Sequence, residues 1–259
     1  MRHAPPPSRY NRRRRRIASD AIRLGAEEWD PTPANFAVLL VVLFAFPWVL
    51  HETDALRVAG IDPVDPRHTP AFLHFCFVVL GCLWTCFAIC LGGILTCGRS
   101  SFQDVLGRSW DRWTDAVRDL GVVLLTLVLM LVIGNLSNRL ITPSQHDAAV
   151  YRSMVAHNRS EALAFLAVAL SAGFAEEFVF RGYVQQQCQA LFGDVWIASL
   201  VQVALFTQRH LYQGVTRLLP VLIIGTLLTI VALWRKSLIP GIIAHGCGDG
   251  LVALTFFLR

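Results

Sequence analysis

The sequence predicts an all-α, polytopic helical membrane protein of about seven to eight transmembrane helices, on three observations. Of its 259 residues, 54% are hydrophobic and only 16% are charged, and the mean hydropathy is +0.51. That balance is too apolar for a soluble domain. Apolar stretches long enough to cross a bilayer recur along the chain, and the basic residues gather in alternate connections between them.

Residues 1–33 read as a basic cytoplasmic tail, with Pro5, Pro6 and Pro7, the run Arg12 to Arg16, and a short amphipathic surface helix from Ile17 to Trp29. Because the arginine run precedes a hydrophobic span directly, it reads as an orientation signal and a contact for anionic lipids, not as a nucleic-acid surface. Residues 34–159 hold the amino-terminal spans. The first runs from about Asn35 to Leu50, interrupted by Pro47, and a polar loop follows to Pro70. The second spans about Ala71 to Cys97. Arg99 to Arg118, with Trp110 and Trp113, forms a connector at headgroup level, and a third span covers about Leu120 to Ile141.

Residues 160–259 form the remaining core. A fourth span from Glu161 to about Leu191 would be roughly 45 Å long, unless Phe178 to Phe192 is a separate eighth helix. Spans five, six and seven are expected at Asp194–His210, Val215–Trp234 and Ile239–Leu258, with the basic turn Arg235-Lys236 between the last two. An inside amino terminus puts the arginine run, the connector and this turn on the cytoplasmic side, as expected for an integral protein of the plasma membrane. Five of the 7 cysteines, Cys76, Cys82, Cys86, Cys90 and Cys97, fall in one span. They are not a disulfide framework; Cys82, Cys86 and Cys90 share one helix face and fit small apolar packing better than a soft metal.

Charge inside the apolar half is the strongest functional signal. Glu176, Glu177 and Arg181 lie near the middle of the fourth span, where each charge costs about 2.5 to 3.5 kcal/mol on the gentlest insertion scale. Glu177 and Arg181 are four residues apart and share a face, so they can pair. Glu176 points about 100° away and is left free. Phe206 and His210 share a face at the end of the fifth span, and His245 and Asp249 share one in the seventh. The helices must be unequal or tilted for these groups to meet.

Together they suit water-activating hydrolysis without a covalent intermediate. Glu176 would be the general base, an imidazole would orient the water, and His245 held by Asp249 would stabilise an oxyanion. Gln208, Arg209 and Cys247 lie among these residues, placed equally to line a cavity or to pack the core. Two histidines and a glutamate could also form a three-ligand zinc site, although no His-Glu-x-x-His is present.

Glu176-Glu177-x-x-x-Arg181, Phe206-x-x-x-His210 and His245-x-x-x-Asp249, in this order, resemble the motifs of the CPBP family of intramembrane proteases. This family includes the type II CAAX prenyl endopeptidases (Rce1-like) and the Abi self-immunity proteins. The resemblance covers about Ser160 to Arg259. It implies a metal-free glutamic endopeptidase with no cofactor, in which Glu176 and His210 activate water, His245 and Asp249 stabilise the oxyanion, and Glu177 and Arg181 support the site. The implied partner is a membrane-associated peptide or protein substrate. The family's last motif commonly ends in Asn where this chain has Asp249. Two other classes fit parts of the pattern: a non-catalytic immunity or regulatory scaffold, and a proton-coupled transporter, against which no internal repeat is evident.

Overall fold

The computed structural model describes residues 31–53, 58, 61–62, 64–97 and 100–254. The basic tail, its expected surface helix and the last residues of the seventh span lie outside the described residues. Each expected span corresponds to a helix: α1 (Pro33–Glu52), α2 (His68–Cys97), then a short α3 (Phe102–Leu106), α4 (Trp113–Leu140), α5 (Gln145–Ser153) and α6 (Arg159–Glu176). A π-helical stretch, Glu177–Val184, carries α6 without a break into α7 (Gln185–Phe192); α8 (Val195–Arg209), α9 (Leu218–Arg235) and α10 (Ile239–Leu254) complete the bundle.

Five segments are long and apolar enough to cross a membrane, namely Pro33–Leu50, His68–Thr96, Trp113–Leu140, Arg159–Phe192 and Val215–Arg235. α8 and α10 are shorter, at 15 and 16 residues. No strand occurs among the described residues, and the chain is an integral, all-helical membrane protein. On α4, Leu124, Leu125 and Val128 are each more than half exposed, as side chains turned toward lipid must be.

Three expectations are corrected. Pro47 does not interrupt the first span, because one missing N–H inside a helix packed on its neighbours is tolerated. Phe178 to Phe192 is not a separate helix, since the π stretch keeps the backbone hydrogen-bonded. α4 starts at Trp113 instead of Leu120: hydropathy reports where lipid contact begins, whereas the helix extends into polar sequence with Asp115 in its first turn.

Local chemistry fixes the ends. Asp194 caps α8 by accepting from the backbone N–H groups of Trp196 and Ile197 at 2.8 and 2.9 Å. α7 stops at Gly193, whose φ of 69° suits glycine. At the other end of the bundle, the connector docks on the turn between α9 and α10. The Arg108 N–H donates to Lys236 O at 2.8 Å, and the Leu238 N–H donates to Leu106 O at 2.9 Å. Asp119 of α4 accepts from Arg235 Nε at 2.7 Å and from Trp110 Nε1 at 2.9 Å, so the basic turn and the basic connector share one end.

α6 packs chiefly against α10 and α2, and α10 also packs against α4. The α6–α10 crossing is in backbone contact: a Cβ on Gly173 would lie 2.5 Å from Gly246 Cα. A second buried polar cluster ties the start of α6 to the start of α2. Glu161 accepts from the Thr69 hydroxyl at 2.6 Å, Asn158 Nδ2 at 2.8 Å and the His157 N–H at 2.8 Å, with His68 Nδ1 at 3.2 Å. The amino-terminal spans show no such set in their sequence, because His68 and Thr69 look like ordinary loop residues until the fold brings Glu161 to them.

Candidate functional site

The three motifs come together where the π stretch, the end of α8 and the middle of α10 meet. Glu177 is fully buried and pairs as the spacing requires, its Oε1 lying 3.1 Å from Arg181 Nη1. Arg181 then donates from Nη2 to Gly225 O of α9 at 3.0 Å, and its guanidinium lies 4.1 Å from the Phe206 ring centroid. This close fit needs a glycine, since a Cβ at Gly225 would sit 2.9 Å from Phe206. Arg181 is therefore clasped by groups from three elements, as a buried cation must be.

His245 is held differently from the expectation. Its Nδ1 lies 2.9 Å from Glu177 Oε1, and Asp249 Oδ2 approaches the other nitrogen, Nε2, at 3.4 Å. Glu177, not Asp249, makes the fixing hydrogen bond, because α10 crosses α6 closely enough for a carboxylate 68 residues away to reach it. Asp249 is nearly half exposed and sits at the edge of the cluster.

His210 follows the last residue of α8, where the helix ends, and its Nδ1–H donates to Phe206 O at 2.8 Å. That bond places a proton on Nδ1 and turns Nε2 toward Glu176. His210 Nε2 stands 3.9 Å from Glu176 Oε2, and His245 Nε2 stands 4.0 Å from the same oxygen. α8 is only 15 residues long, and its carboxyl end lies beside Glu176. Glu176 is not free, however: Arg209 Nη1 donates to its Oε1, and both side chains are buried. The position next to His210 marks Arg209 as a neighbour of the site, but nothing in the sequence signals that it reaches across to α6. Gln208 carries a buried Oε1 without a hydrogen bond among the described residues, while Cys247 is exposed.

Residues 158–251 match the family model described as Type II CAAX prenyl endopeptidase Rce1-like. This segment is therefore similar to the Rce1-like endopeptidases. All three motifs lie inside the Rce1-like segment, whereas α1 to α5 lie outside it, which supports the resemblance to the CPBP proteases read from the motifs. Neither the curated proteins nor the solved structures contain a match to the chain.

The donors for zinc coordination would have to be Glu176, His210 and His245 of the Rce1-like segment. Among the described residues no group of three His, Cys, Asp or Glu side chains has the arrangement to hold a metal ion. The Arg209 guanidinium on Glu176 adds a fixed positive charge where a divalent cation would bind. The side chains present do not fit that group. Cys82, Cys86 and Cys90 are free thiols, two of them buried in the core beside Phe178 and Tyr183, so they pack as small apolar residues.

Proposed function

We propose that this protein is an intramembrane endopeptidase of the glutamic type, acting on a membrane-associated peptide or protein segment. The observation that carries the reading is the convergence of His210 Nε2 and His245 Nε2 on one oxygen of Glu176, at 3.9 and 4.0 Å. Those separations are too long for direct hydrogen bonds and suit groups that share a water or a reacting carbonyl. The match of residues 158–251 to an endopeptidase family supports the reaction class.

In this reading a water donates one hydrogen bond to Glu176 Oε2 and the other to His210 Nε2. As the water oxygen attacks the carbonyl carbon, its proton passes to Glu176 and the carbonyl oxygen becomes an oxyanion. His245, with a proton on each ring nitrogen, donates Nδ1–H to Glu177 and Nε2–H to the oxyanion. The intermediate collapses by breaking the C–N bond, and the proton held by Glu176 goes to the departing amine. Asp249 would help retain the proton on His245 Nε2. Glu177 and Arg181 would keep the imidazole in place.

The amino terminus is proposed to be cytoplasmic in the plasma membrane, with the basic tail on anionic lipids. The decisive experiment is digestion of a peptide library by detergent-purified protein, wild type against Glu176→Gln. Loss of all cleavage in the variant is expected; equal cleavage by both would refute the assignment of the base. One observation favours a second reading, a scaffold that binds a membrane partner without cleaving it: the Arg209–Glu176 pair also resembles a structural clasp. A scaffold would keep its biological effect in Glu176→Gln.

A further inference from the structure

We propose that Arg209 is a positioning residue for Glu176, and that α1, outside the matched segment, completes it through Phe46. The inference deepens the endopeptidase reading and rests on Glu176 acting as the base. The two oxygens of Glu176 are divided: Oε1 accepts from Arg209 Nη1, and Oε2 faces both imidazoles. A carboxylate without that anchor could turn about its last torsion and present either oxygen, or neither, to the water. Arg209 thus selects the reacting atom.

The surroundings of the two buried arginines separate this role from simple clasping. Arg181 uses both Nη atoms, on Glu177 and on Gly225 O, and lies on the Phe206 ring. Arg209 has a single acceptor, Glu176, while its Nη2 is buried with no hydrogen-bond partner among the described residues. What holds the rest of its guanidinium is the face of Phe46, 4.3 Å from the ring centroid. Phe46 is itself buried on α1 and meets Tyr212, two residues beyond His210, ring edge to ring face at 5.5 Å. The amino-terminal helix is therefore a wall of the site, touching Arg209 just before His210 and Tyr212 just after it.

The test is steady-state cleavage by the full-length protein in lipid nanodiscs, using a peptide that the wild type cuts, with thermal unfolding measured on every variant. Arg209→Gln is expected to lower kcat about 100-fold, the usual cost of misplacing a reacting group by an ångström, with KM unchanged. Arg209→Lys should fall between it and wild type. In Arg209→Ala, added guanidinium ion should restore part of kcat, which a purely structural defect would not allow. Phe46→Leu should lower kcat in the same direction by less.

Wild-type kcat in Arg209→Gln, or a loss confined to KM, would overturn the positioning role while leaving the endopeptidase reading intact. The positioning role falls equally if every Arg209 variant unfolds early and guanidinium restores nothing. A wild type that cleaves no peptide, and that Glu176→Gln matches in partner binding, would overturn both.

Discussion

Gly173→Ala tests whether the close approach of α6 and α10 sets the spacing of the site. The added Cβ would lie 2.5 Å from both the Cα and the N of Gly246, against 3.4 Å where ordinary contact begins, a shortfall of about 0.9 Å. Both atoms are backbone, so no side chain can swing aside; the helices must separate by about that amount. Gly173 is one turn before Glu176, and Gly246 adjoins His245. The 4.0 Å gap between Glu176 Oε2 and His245 Nε2, and the 2.9 Å bond from His245 Nδ1 to Glu177, would both lengthen. Misplacement on this scale costs on the order of 100-fold in turnover, and overpacking costs about 1–3 kcal/mol of stability. Gly134→Ala is the control, because a Cβ there meets nothing within 4 Å. Cleavage kinetics and thermal unfolding in nanodiscs give both readouts. A Gly173→Ala protein with wild-type kcat and stability would show that α6 and α10 do not control the geometry of the site.

Glu177→Gln removes the counter-charge of a buried arginine and should destabilise the protein by about 3–5 kcal/mol; pairing it with Arg181→Met should recover part of that loss in a double-mutant cycle by chemical denaturation, and strict additivity would contradict the pairing. Asp119→Ala should loosen the connector from the α9–α10 turn, seen as faster hydrogen exchange at Arg108 and Leu238, whose N–H groups donate across that junction. Asp147 accepts from the Thr216 N–H at 3.1 Å and from its hydroxyl at 2.8 Å, and these bonds hold its carboxyl below the ordinary 3.8. Its stabilising contribution is complete above the unfolded carboxyl range and lost as pH falls through the lower, folded value. Thermal unfolding of wild type and Asp147→Asn should therefore converge as pH drops from 7 toward 3, and a gap that widens would reverse the sign.

Spans and motif pairs are legible because each depends on near neighbours in the chain. Glu177 and Arg181 meet as their four-residue spacing requires, and hydropathy locates a helix for every expected span. What stays hidden depends on how distant helices are rotated and how deep they sit. The bond from Arg209 to Glu176 joins residues 33 apart, and that from His245 to Glu177 joins residues 68 apart. No periodicity encodes either one. The spacing of His245 and Asp249 instead suggests a local partner, and the local partner proves to be the longer contact. The clasp of Arg181 by Gly225 O is invisible for a different reason: backbone carbonyls carry no residue-type signal. Pro47 and the π stretch show a third limit, since helix breakers are judged by propensities measured in water and a packed bundle supplies compensating contacts.

The pairing of Leu106 and Arg108 with Lys236 and Leu238 has a consequence for biogenesis. A ribosome delivers the connector well before the closing turn emerges, so the backbone groups of Leu106 and Arg108 wait unmatched while α4 to α9 are made. Chains that terminate before Lys236 would lack the partners of both groups, and the connector would have no main-chain bond to the closing turn. Completion of the final hairpin is thus the event that seals the bundle at this end.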